Sequence, residues 1–147
     1  MSDLHIDDFY KDAAQILLVL YRFFPRPYTL YVEDISGPDQ VDEYGLHTDR
    51  HLACFGTMIW LRDAGLLRFM DVINSDAIDQ AVLTHKALTL LTTRSVIRFQ
   101  GTDEEVPPSV AEEHASNVHQ LKLAVQSGAS FSIRRIMQYL LAEAKKH

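Results

Sequence analysis

The stretch from Asp49 to Phe69, DRHLACFGTMIWLRDAGLLRF, carries two structural signals back to back. Thr48 just before it can accept from a free backbone N–H and so cap a helix running from Asp49 to Ala64. Within that helix Cys54, Met58 and Leu61, with Gly65 after them, fall inside an arc of about 60° at 100° per residue. These four share one side of the helix. Gly65 stops the helix, and Leu66 to Ile73 then reads as a strand. Asn74-Ser75-Asp76 supplies a turn and Ala77 to Leu83 a returning strand, so the two make a hairpin. Thr84 caps a short helix through Thr92.

Upstream, Asp7 to Phe24 predicts a helix, with Phe9, Ala13, Ile16, Leu17, Leu20 and Phe24 at helical spacing. Pro25 and Pro27 end it. The β-branched and aromatic run Tyr28 to Val32 reads as a short strand, and Glu33 to Glu43 as an acidic loop turning at Gly37-Pro38. Downstream, Val96 to Phe99 fits either a strand or a helix end, and residues 93–108 form a second acidic loop. Ser109 and Glu112 have the spacing of a capping box for a helix reaching Ser127, where Gly128 breaks it. A last helix from Ser130 or Ser132 carries Ile133, Ile136, Met137, Leu140 and Leu141 along one face. The expected class is mostly α with a small antiparallel β wing, folded as one domain over 1–147.

The order helix, strand, loop, helix, hairpin, helix over residues 7–92 resembles the winged helix-turn-helix superfamily. Two segments carry the resemblance. WLRDAGLLRF, Trp60 to Phe69, looks like the end of a recognition helix leading into the first wing strand. AVLTHKALTLL, Ala81 to Leu91, is similar to the returning wing strand and the helix after it, with Ala87 where such regulators often carry glycine. The resemblance implies a winged core with a C-terminal helical extension over 109–147. It does not choose a role, because that superfamily serves DNA binding, protein docking and complex assembly alike.

Charge bears on that choice. The chain holds 14 basic and 20 acidic residues, a net charge of −6, whereas nucleic-acid binding draws most of its affinity from Lys and Arg at phosphates. The face of the Asp49–Ala64 helix that would enter a groove carries Leu52, Phe55, Gly56, Ile59 and Asp63, none able to read a base edge as Arg or Asn does. Arg50, His51, Thr57 and Arg62 remain as possible DNA contacts, scattered around the cylinder. The wing segment 71–80 holds Asp71, Asp76 and Asp79 and no base. The expectation is therefore a non-enzymatic domain acting through protein contacts, with a DNA-binding transcriptional regulator as the alternative. Leu52, Phe55 and Ile59 are expected to be covered, by the chain's own C-terminal helices or by a partner.

His47, Asp49, His51 and Cys54 have metal-ligand side chains, but a cap at Thr48 leaves His47 outside the helix and Cys54 points to core. The expected reading is a surface histidine pair beside a buried cysteine, with no metal and no cofactor. Cys54, among apolar neighbours, lacks the electropositive setting of a nucleophile. His114 and His119, five apart, share no face. The basic residues Arg134, Arg135, Lys145 and Lys146 gather at the end, as helix C-termini favour. The stripe Ile133, Ile136, Met137, Leu140 and Leu141 is the expected seam of a homodimer. One cysteine, an acidic start and apolar runs too short for a bilayer predict a soluble, cytoplasmic chain with no membrane contact.

Overall fold

Helix α1 (Leu4–Phe23) begins a turn earlier than its capping residues suggest, and buries Ala13, Ile16, Leu17 and Leu20. The computed structural model describes residues 4–99 and 115–146. After α1 come β1 (Tyr28–Tyr31), α2 (Val32–Ser36), α3 (Asp49–Asp63), β2 (Leu67–Arg68), β3 (Asp71–Ile73), β4 (Ala77–Leu83) and α4 (His85–Thr92). Beyond residue 114 follow α5 (Asn117–Ser127) and α6 (Ser130–Ala144). The protein is mostly helical, with a small antiparallel sheet of four strands among the described residues.

β4 is the centre of that sheet. β1 lies on one side of it, with Tyr28 opposite Ala81 and Leu30 opposite Ile78, which leaves one extra residue on β4. The bulge is at Asp79-Gln80, where Gln80 takes φ +54°. On the other side of β4, β2 pairs Leu67 with Leu83 and β3 pairs Val72 with Ile78. The single strand expected over 66–73 is thus interrupted at Phe69-Met70, although the Met70 N–H still bonds the Asp79 carbonyl at 3.0 Å. The hairpin turns at Asn74, whose φ of +51° an asparagine tolerates.

Two expectations need correction. The acidic loop from Glu33 does not start as a loop: Val32 and Ile35, three apart, both bury and hold one short helix, α2. The expected dimer seam is interior. Ile133, Ile136, Met137 and Leu140 are buried within the chain, where α6 packs on α1, α4 and α5; only Leu141 stays half-buried. One hydrophobic cluster runs from Ala13 through Met58 and Ile78 to Ala144, so the C-terminal helices complete the core of the N-terminal part. An amphipathic stripe has the same sequence pattern whether a second chain or its own chain covers it.

The end of the segment after α4 is fixed by α5. Ser95 donates its N–H to Ala115 at 2.7 Å, Asn117 Nδ2 donates to the Leu90 carbonyl at 2.8 Å, and the Phe99 N–H donates to Gln120 Oε1 at 2.7 Å. Val96 to Phe99 is therefore irregular backbone with a side-chain partner, neither strand nor helix. Within the described residues α5 starts at Asn117, where Ser116 accepts from the His119 N–H. The Ser109–Glu112 capping box, the loop 101–108 and His114 lie outside those residues.

Candidate functional site

Helix α3 is set at both ends by its own sequence. Thr48 Oγ1 accepts from the His51 N–H at 3.2 Å, the cap expected there. At the other end Gly65, at φ +79°, lets the Leu66 N–H reach the Leu61 carbonyl and its own N–H reach Arg62, a Schellman arrangement. Between these, Cys54, Met58 and Leu61 face the core and are fully buried.

The outward face is not covered by the chain's own C-terminal helices, one of the two covers expected for it. Leu52 is 45% exposed, because α5 and α6 pack on α1 and α4 and leave this side of α3 uncovered. Phe55 and Ile59 are half-buried, and Ala53 and Gly56 are exposed. Trp60, the chain's one tryptophan, is also 45% exposed and meets Phe9 edge-to-face at 5.1 Å between ring centres. A groove of ≈ 430 Å³ lies on one side of this pair, lined by Ile6, Ala53 and Gly56. A second, of ≈ 600 Å³, lies on the other, between α3 and α6, with Leu141, Ala142, Lys86 and Lys145 on its walls.

The four polar residues considered for DNA are largely spent inside the protein. Arg50 makes a two-pronged pair with Asp12, at 2.7 and 2.6 Å, and its guanidinium is held above its ordinary pKa by that hydrogen bond. His51 is 2% exposed, and Thr57 is buried with its hydroxyl donating to the Ala53 carbonyl at 3.0 Å. Arg62 is exposed, bonded to Asp63 at 3.1 Å and lying over the Phe69 ring. On the hairpin, Asp79 accepts from Thr29 Oγ1 at 2.7 Å.

The expected surface histidine pair is only partly at the surface: His51 is buried, while the His47 side chain is 23% exposed. His47 stands outside the helix, as the cap requires, yet its ring folds back and stacks on His51 at 4.1 Å with planes 8° apart. Asp39, whose side chain is 1% exposed, closes the group. Its Oδ1 accepts from the N–H and hydroxyl of Thr48 at 3.1 and 2.9 Å, and its Oδ2 lies 2.5 Å from His47 Nδ1. Burial works against charge on Asp39, but the His47 and Thr48 hydrogen bonds and the nearby His51 bring its pKa down to about 2. His47 is raised by the same bond to Asp39, against its own burial, with further help from the Asp39 and Asp76 charges. Asp49 and Cys54 take no part; the Cys54 thiol sits 4.0 Å from the Val32 carbonyl. Sequence reading missed Asp39, since nothing distinguishes it from the other acids of a polar loop.

No protein-family model, curated protein or solved structure matches this chain.

Proposed function

We propose that this chain is a non-enzymatic docking domain on a winged-helix-like scaffold. Its α1–α3–α6 face binds an amphipathic protein segment, apolar on one side and acidic at its flanks. The element order through α4, with β4 between β1 and the β2–β3 segment, supports the winged-helix reading. One observation carries the docking reading: the single tryptophan stands half in solvent between two apolar grooves, paired with Phe9. Large aromatics in such grooves dominate the energetics of protein contacts. Lys86 and Lys145 border the larger groove of an otherwise acidic chain and call for acidic residues on the bound segment. Asp63 on the same wall is the one acid there.

The homodimer expected from sequence loses its seam to the core. A DNA-binding role finds less support, because Arg50, His51 and Thr57 are occupied within the fold and the hairpin is acidic.

A displayed library of amphipathic helical peptides with acidic flanks, against a matched library with basic flanks, tests this. The acidic set is expected to enrich, to shift Trp60 emission to the blue, and to lose binding to Trp60→Ala. Equal enrichment of both sets would overturn the proposal. So would a stable dimer in light scattering that buries Trp60, or sub-micromolar duplex DNA binding with a steep salt dependence.

A further inference from the structure

We propose that Asp39, His47 and His51 form a binding site for a divalent transition-metal ion of the zinc class, which clips the loop after α2 and the hairpin turn to the start of α3. The inference starts from one atom. His51 Nε2 lies 2.8 Å from the Ser75 carbonyl, which can only accept, so Nε2 carries the ring proton. In the neutral ring Nδ1 is then a bare lone pair, and it is buried without a hydrogen-bond partner. It faces Asp39 Oδ2 at 3.6 Å, too far for a hydrogen bond. Two electron-pair donors turned toward each other in a buried place call for positive charge between them, which a second ring proton or a metal ion supplies.

The spacing fits a metal. Bonds of about 2.0–2.1 Å at tetrahedral angles separate ligand atoms by about 3.3 Å. The 3.6 Å gap is close to that, and one ligand atom from each of the three residues lies within 4.8 Å of the other two. His47 Nδ1 is closer to Asp39, at 2.5 Å, so it opens by about 0.8 Å, and the stacked rings tilt apart, when an ion replaces the shared proton. The outer shell is already in place. Both rings turn Nδ1 toward Asp39 and Nε2 toward the hairpin turn, where the Ser75 carbonyl serves His51 and Asp76, at 3.4 Å, serves His47. The Thr48 N–H and hydroxyl hold the other carboxylate oxygen. Outer partners of this kind fix the orientation of ligating histidines and carboxylates. Two imidazoles and one carboxylate suit Zn²⁺, Fe²⁺ or Co²⁺ rather than Mg²⁺ or Ca²⁺. The three protein ligands leave a fourth position on the side where His47 reaches solvent.

The test uses the full chain without a histidine tag, stripped with chelator and titrated with Co²⁺, then with Zn²⁺ in competition. One equivalent is expected to give the visible bands of tetrahedral Co²⁺, to be displaced by Zn²⁺, and to raise Tm. His47→Ala, at the more exposed ligand, should lose at least tenfold in affinity, as should Asp39→Asn, while His85→Ala should bind as the parent does. Circular dichroism of His47→Ala separates lost binding from lost fold. Absence of stoichiometric binding would overturn the proposal, and so would affinity unchanged in a folded His47→Ala.

Discussion

Replacing Arg50 with alanine tests whether this residue, one of the four on α3 considered for DNA, is a structural fixing. Its guanidinium holds both oxygens of Asp12, whose side chain is 2% exposed. Removing one partner of a buried pair costs about 3–5 kcal/mol, because the remaining charge has no solvent to replace it. Arg50 is itself 37% exposed and Asp8 lies 3.7 Å from it, so water screens part of the interaction and a loss of about 2–4 kcal/mol is expected. With an m-value near 2 kcal/mol/M, the urea midpoint falls by about 1–2 M. Arg50→Lys keeps the charge but loses the fork, and should fall between. Asp12→Leu with Arg50→Met removes both charges and keeps apolar volume, and should recover most of the loss. Urea unfolding followed by circular dichroism measures these variants, the Asp12→Leu and Arg50→Met singles and the parent. A change under about 0.5 kcal/mol for Arg50→Ala would place the residue with ordinary surface positions and refute the reasoning. A double variant no better than the sum of its singles would refute it too.

Other consequences can be checked alongside. Burial, helped by the Asp12 charge, pushes the Cys54 thiol up to about 12 from an ordinary value of 9.0, so at pH 8 it should resist alkylation until the chain unfolds. The raised native value means that its contribution to stability is complete below pH 9 and is lost as pH rises toward 12; comparison with Cys54→Ala across that range isolates it. Leu140→Ala, in the fully buried α6 stripe, should cost about 2–5 kcal/mol in urea unfolding with no change in the mass read by light scattering. Trp60→Ala should cost less than about 1.5 kcal/mol, because only the Phe9 contact and part of the ring's burial go, yet abolish peptide binding. Gly56→Ala should raise stability by about 0.5–1 kcal/mol, since the new methyl meets nothing within 4 Å, and weaken docking by filling the notch beside Trp60.

Much of the fold was legible because local chemistry agreed with the tertiary outcome. Thr48, Gly65, Thr84 and Gly128 each mark a helix end that the structure uses. Cys54, Met58 and Leu61 share one side of α3, as their spacing requires, and that side is buried. What failed needed three-dimensional knowledge. Periodicity says that a stripe such as Ile133–Leu140 must be covered, but not by which element. Leu52 is not covered by the chain's own C-terminal helices, because only the docking of α6 against α1 and α4 decides which side of α3 is left open. The histidine pair was set aside for a correct reason, the Thr48 cap, with the wrong consequence. The cap removes His47 from the helix but does not carry its ring away from His51, and Asp39, eight residues before His47, enters only through the path of the loop.

These pieces bear on one another through α3. A helix that reads a groove must keep its polar side chains free, and here three of the four considered are committed inward, with Arg62 left exposed: Arg50 to Asp12, His51 to Ser75, Thr57 to its own backbone. The first two commitments tie α3 to different neighbours, α1 and the hairpin turn, while Thr48 and His47 tie it to the loop after α2. Such fixings at the N-terminal end leave α3 little freedom to shift, and a metal at Asp39 would tighten the same end. What then remains for solvent on the opposite side is an apolar stretch, Leu52, Ala53, Gly56 and Trp60, between Asp49 and Asp63 at its ends. An exposed apolar face costs solubility and is retained most simply where something binds it. The rigidity matters to that binding, since a pre-ordered surface does not lose its own conformational entropy when a partner docks. The polar residues that would have made this helix a reader of bases serve instead to hold still the face proposed to meet a protein.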